Sequence, residues 1–195
     1  MVSVTRYFRK VAASGPRALV RSTALAVCLG LAAIAHAQRV LPRLAAPSES
    51  QLKAEAIFNF LKFVEWPAET FQTPTQSVLI CVMGHGEIAD ILEEGAHKQV
   101  VGQRTVVIQP GFVNGPGCNI LFVPRSGKAR HLAEEIKAGP ILTVGEEDGF
   151  TSEGGIVRIR VAAGRVLLEI NVKAADRARL RVSSKLLWLP SVVRK

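Results

Sequence analysis

Gly84-x-Gly86-x-x-Ala89 follows the apolar run Val78 to Met83 and opens a helical stretch. In that order, backbone amides at a helix start can meet a dinucleotide's pyrophosphate. Such a site also needs an acidic residue at the end of the next strand to hold the ribose, and here that strand ends in Gln109-Pro110. The turn is therefore read as a close approach of helix to sheet, and no cofactor is expected. His85, His97, His131 and the cysteines are metal ligands by type. No pair of them sits at i, i+4 on a predicted helix or across the two-residue gap of a metal clip, so no metal is expected either. Ser126, Ser152, Ser183 and Ser184 are nucleophiles by type, with a histidine or Lys185 as base. None lies in a Gly-x-Ser-x-Gly elbow, and Ser183-Ser184-Lys185 lacks the Ser-x-x-Lys spacing that sets amine and hydroxyl one helical turn apart. Helix capping accounts for these serines better. Glu146-Glu147-Asp148 reads as a solvated loop, no paired carboxylates of a cleft can be picked out, and the chain is not read as an enzyme.

Location narrows the chemistry further. Arg6, Arg9, Lys10, Arg17 and Arg21 precede the uncharged run Ser22 to Ala35, which closes on Ala35-His36-Ala37. A basic region, a short apolar stretch and a small-x-small site make a secretory signal peptide over residues 1–37, cleaved after Ala37, and the periplasm is the expected compartment. The leader holds five of the twenty-five basic residues and none of the sixteen acidic ones, so twenty basic and sixteen acidic residues remain, a net +4. The remainder is polarised: Arg158 to Lys195 carries ten basic residues against Glu169 and Asp176. Nucleic acid is not the expected partner of such an end outside the cytoplasm; an acidic protein surface or anionic lipid head groups fit it better.

Two cysteines survive processing, Cys81 and Cys118, and in an oxidising compartment they are expected to pair with each other. Residues 38–50, rich in Pro, Ala and Ser, read as a flexible lead-in. Residues 51–195 then form one domain. Ser48 or Ser50 starts a helix that Pro67 ends, with Leu52, Ile57, Phe60, Leu61 and Val64 on one face. Phe58, Phe63 and Trp66 lie off that stripe and need a second cover, from the same chain, a second copy or a foreign partner.

Continuously apolar strands are predicted at Val78–Met83, Asn119–Val123 and Ile141–Val144, with another at Thr105–Gln109 and helices at Glu87–Gly95 and Ser126–Ala138. The alternation predicts an α/β three-layer sandwich: a mostly parallel sheet with helices on both faces. Ile156–Val161 and Arg165–Ile170, joined by Ala162-Ala163-Gly164, are expected to add a C-terminal antiparallel hairpin at the sheet edge. A short helix over Val172–Arg179 and one capped by Ser183 follow.

The helix from Lys53 to Pro67, Ile80-Cys-Val-Met-Gly84, Val101-Gly-Gln-Arg104, Cys118-Asn-Ile-Leu-Phe122, Ile141-Leu-Thr-Val144, Gly154-Gly155-Ile156, Val166-Leu-Leu-Glu-Ile-Asn171 and Arg179 to Leu187 occur in an order that resembles the YfiR family. The resemblance runs from about residue 50 to 190. It implies a periplasmic regulator, often dimeric, that represses an inner-membrane diguanylate cyclase by binding its periplasmic part and thereby lowers cyclic di-GMP signalling. It also implies that a peptidoglycan-associated outer-membrane lipoprotein can sequester the repressor. Cys81 and Cys118 match the family's bridge, while a second pair that some relatives carry near Gly145 to Thr151 is absent. On this reading Phe58, Phe63 and Trp66 supply apolar contact to the cyclase or to a second copy, and Arg177, Arg179, Arg181 and Lys185 steer an acidic partner. A periplasmic small-solute-binding protein and an envelope scaffold are the alternatives.

Overall fold

The computed structural model describes residues 46–112, 117–125 and 139–195. The predicted leader, most of the lead-in and the predicted helix Ser126–Ala138, with Ser126 and His131, lie outside the described residues.

Helix α1, Glu49–Phe63, starts where Ser48 can cap it. The Ser48 hydroxyl accepts from the Gln51 amide at 3.1 Å, and the Gln51 side chain accepts from the Ser48 amide at 2.7 Å. This reciprocal pair satisfies two amides that the first turn leaves open. Ala54, Ile57, Phe58 and Leu61 form its buried stripe and Phe60 widens it. The chain then turns extended at Val64 and continues as β1, Val64–Glu65, before Pro67.

The strands β2 (Val78–Val82), β3 (Val100–Val101), β4 (Arg104–Gln109), β5 (Ile120–Val123), β6 (Leu142–Gly145), β7 (Val157–Ala162), β8 (Arg165–Ile170) and β10 (Val192–Arg194) make one sheet, ordered β10-β8-β7-β6-β5-β2-β4-β3. Helix α2, Glu87–Ala96, links β2 to the β3–β4 pair. Beyond β8 come α3 (Val172–Arg177), β9 (Arg181–Val182) and α4 (Ser184–Leu187). β9 pairs with β1 in a separate two-stranded ribbon. Within the main sheet, pairing is parallel except for β3 with β4 and β7 with β8. The fold is thus mixed α/β with a mostly parallel sheet and the expected C-terminal hairpin, consistent with a three-layer sandwich.

Side chains from α1, α2 and α3 join those of one sheet face in the main core, which includes Ile57, Phe60, Leu92, Ile80, Ile120, Phe122, Leu142, Ile159 and Ile170. A smaller core on the opposite face gathers Cys81, Cys118, Leu121, Val123 and Phe150. Every residue of β5 and of β6 is buried, which explains why those segments read as unbroken apolar runs.

Three features differ from the sequence reading. The hairpin is not the sheet edge, because β10 adds parallel to β8: the Leu168 amide donates to the Ser191 carbonyl at 2.8 Å, and the Lys195 amide to that of Ile170 at 2.9 Å. β3, Val100–Val101, lies outside every predicted strand. Helix α3 ends at Arg177 rather than Arg179, since Arg179 adopts a left-handed φ of 58°. Two- and three-residue strands have no periodicity of their own, so only their partners reveal them.

Between β6 and β7 the chain folds around Phe150, whose ring lies between Gly145 and Gly155. A Cβ on Gly155 would overlap that ring and come within 2.7 Å of the Phe150 carbonyl oxygen. Gly155→Ala is therefore expected to cost about 1–3 kcal/mol, read as a lower urea midpoint at unchanged slope. Gly139→Ala, whose Cβ would meet only Ile141 Cγ1 at 3.8 Å, should leave the midpoint in place.

Candidate partner-binding surface

The glycine turn after β2 is closed by its own chain. The Gly84 carbonyl accepts from the Gly111 amide at 2.8 Å, the Gly86 carbonyl accepts from Ala89 at 2.8 Å, and the His85 ring lies against Gly111. Glu87 and Asp90 stand in the first turn of α2, and Ser50 donates to Glu87 at 2.8 Å. Two carboxylates at a helix start complement its dipole and would oppose a phosphate there. Ser183 caps α4, its hydroxyl accepting from the Lys185 amide at 3.3 Å. Ser152 lies in the loop that wraps Phe150, where its amide donates to the Gly149 carbonyl at 2.8 Å. His97 is the exposed C-cap of α2. Among the described residues no three His, Cys, Asp or Glu side chains gather to hold a metal ion.

Cys81 and Cys118 are bonded across 37 residues of sequence, with Cα atoms 5.8 Å apart, and both are buried. Beside the bridge, buried Asn119 ties four elements together. Its side-chain oxygen accepts from the Leu79 amide at 2.8 Å, its amide donates to the Leu79 carbonyl at 2.8 Å, and its carbonyl accepts from Leu142 at 2.9 Å and from the Trp66 indole at 3.2 Å. Trp66 therefore has its polar edge committed to the sheet while part of its ring stays open.

The three aromatic residues of the first helix region have separate fates. Phe58 is buried against Gly95 of α2, where a Cβ would meet its ring at 2.7 Å, so its cover comes from the same chain. Phe63 and Trp66 pack on the rim of the main core and remain half-buried. The β1–β9 ribbon brings these two to the basic segment. The Ser183 amide donates to the Phe63 carbonyl at 2.7 Å, Glu65 faces Arg181 in register, and Arg179 pairs with Glu69 at 2.8 Å. Arg177 ends α3 and Lys185 lies in α4, both exposed. The surface so formed has two half-open aromatic rings and a basic border. Sequence spacing did not reveal their proximity, because the ribbon joins segments more than a hundred residues apart.

Ionic networks hold the loop after β6 and the strands beside it. Glu146, expected in a solvated loop, is instead largely buried: Lys53 reaches it at 2.6 Å while holding Glu49 at 2.5 Å, and the Arg125 amide donates to it at 2.8 Å. Burial pulls the Lys53 ammonium down, but its bonds to Glu146 and Glu49 outweigh that and raise its pKa. Glu169 accepts from Thr151, pairs with Lys195 at 2.8 Å and lies 3.7 Å from Arg158, which also meets Asp148. Burial pushes the Glu169 carboxyl up; Lys195 and Thr151, with the charge of Arg158, more than offset it and leave its pKa below the ordinary value. The loop after β6, the hairpin and the residue after β10 thus share one carboxylate.

A family model described as YfiR/HmsC-like matches residues 50–190. No curated protein matches the chain.

Two outcomes follow. Replacing Cys81 and Cys118 together by alanine should cost roughly 3–4 kcal/mol from the released loop alone, seen as a lower urea midpoint that reductant no longer shifts. Glu169 has a depressed folded pKa, so its contribution is complete above the unfolded value near 4.5 and disappears as pH falls through the folded one. Glu169→Gln should be less stable than the native chain by about 1–3 kcal/mol at neutral pH, and that gap should close on acidification below the unfolded value. A gap independent of pH would show that the carboxylate charge is not what holds the loop.

Proposed function

Because this chain belongs to the YfiR/HmsC-like family, a regulatory and non-catalytic one, we propose that it is a periplasmic repressor of an inner-membrane diguanylate cyclase. The observation that carries this reading is the span of the match, which takes in strands β2 to β8 of the sheet and the β1–β9 ribbon. On this reading the chain reaches the periplasm through its leader, binds the cyclase's periplasmic part and lowers cyclic di-GMP without touching the nucleotide. An outer-membrane peptidoglycan-associated lipoprotein would relieve repression by sequestering it, and a homodimer would be the acting form.

Repression needs no bond to be made or broken. A protein that binds the inactive cyclase conformation a hundredfold better than the active one biases the equilibrium by about 2.7 kcal/mol. Phe63 and Trp66 supply the apolar part of that contact. Phe58 does not, since α2 already covers it. Arg177, Arg181 and Lys185 steer an acidic surface, with Arg179 available once it leaves Glu69.

Deleting the gene should raise cellular cyclic di-GMP several-fold, and the native gene supplied in trans should restore it. The Arg177→Glu, Arg181→Glu, Lys185→Glu triple variant, exposed throughout and therefore expected to fold, should fail to restore it and should lose the cyclase in a membrane pulldown. An unchanged cyclic di-GMP level after deletion would end the repressor reading. Full restoration by the triple variant would remove only the basic border from it.

A further inference from the structure

The most exposed large apolar side chain among the described residues, Trp188, stands with its neighbour Leu189 at the end of the fold. Trp188 is 74 % exposed and Leu189 44 %, while Val193, 60 % exposed, is in register with Glu169 and stands on the other face of β10 from Arg194. Their backbone is firmly held: Trp188 donates to the Ser184 carbonyl at 3.0 Å, Leu189 to Leu186 at 3.2 Å and Val192 to Leu189 at 3.0 Å, while β10 is laced to β8. The tip is therefore a closed turn from which these side chains project. The Arg194 guanidinium lies over the Trp188 ring, 5.0 Å from its centroid, and Lys185 stands one helical turn before it. From Arg177 to Lys195 the chain has six basic residues and no acidic one.

An indole with cationic side chains around it matches the head-group region of a bilayer. The ring settles where apolar meets wet, and each nearby Lys or Arg gains about 1 kcal/mol from an anionic surface. A protein partner would need a broader face, about 800 Å² on each side, than two neighbouring apolar side chains provide. We propose that this tip, Trp188 and Leu189 with Lys185 and Arg194, docks on the anionic lipid head groups of a membrane surface. The contact is peripheral and reversible, and among the described residues no helix is long and apolar enough to cross a membrane. It is independent of the repressor reading, since it requires no cyclase.

The test is flotation of the mature chain with vesicles of phosphatidylethanolamine containing about one-third phosphatidylglycerol, against vesicles of phosphatidylcholine alone. The chain should float with the anionic vesicles at low salt and be released by high salt, with a blue shift of tryptophan emission that is missing from Trp188→Phe. Trp188→Ser and Arg194→Glu should each lower the bound fraction at least about tenfold. All forms are purified after export and cleavage at Ala37, so the basic leader does not mask the tip, and matched melting curves confirm folding. Equal flotation with both vesicle types, or undiminished binding of Trp188→Ser, would overturn the proposal. So would a native dimer that Trp188→Ser dissociates while neither form floats, because the tip would then be a contact between copies.

Discussion

The passage of the chain from β4 across β2 to β5 is the constraint on which the rest of the fold depends. β5 lies on the far side of β2 from β4, so the chain must cross a strand buried on both faces. Both ends of the crossing are tied to that strand. On leaving β4, Gly111 donates to Gly84 at 2.8 Å and Phe112 to Val82 at 3.0 Å; on arrival, Cys118 is bonded to Cys81 and Asn119 exchanges bonds with Leu79. Once Asn119 is placed, its carbonyl positions both Leu142 at the start of β6 and the indole of Trp66. The bridge limits the unfolded chain while Asn119 satisfies backbone groups that water cannot reach, and the two effects reinforce each other.

What could be read in the sequence follows from how local each signal is. Continuous apolar runs at Val78, Asn119 and Ile141 marked the buried strands because burial on both faces leaves no room for alternation. Ser48 and Ser183 cap helices through contacts two or three residues away. The short pairings β1–β9 and β8–β10 depend on partners distant in sequence or on a register that no pattern encodes. Phe58 shows the same limit at a single residue. Its position off the helical stripe was legible, whereas the groove that receives it exists because Gly95, on another helix, has no side chain. For Glu146 the residue type pointed to water, and the bond to Lys53 of α1, some ninety residues earlier, overrode it.

The candidate surface was legible in composition and not in arrangement. The excess of basic residues after Arg158 was plain, and so were the aromatics before Pro67. Their union across the β1–β9 ribbon was not, because it needs the chain to return after the whole sheet has formed. Trp188 gave no local signal of exposure: it ends an apolar helical segment of the kind that is normally buried, and Leu186 two residues earlier is indeed in the core.

Residues 172–195 connect the two surfaces, and their energetics limit what each can do. The elements there are at most six residues long, below the length at which a helix holds itself in water. They persist because Ala174, Ala175, Leu180 and Leu186 are buried and because β10 and Lys195 are fastened to β8 and Glu169. Exposed charges on such a frame contribute about 0–1 kcal/mol each and are screened within about 8–10 Å, so they govern approach and orientation. Lasting affinity has to come from desolvated apolar area, which the ribbon offers through Phe63 and Trp66 and the tip through Trp188. One basic segment that borders Phe63 and Trp66 at the ribbon and carries Trp188 at the tip would hold any two surfaces that engage both at a set spacing, and would lose that geometry if the anchor at Glu169 were released.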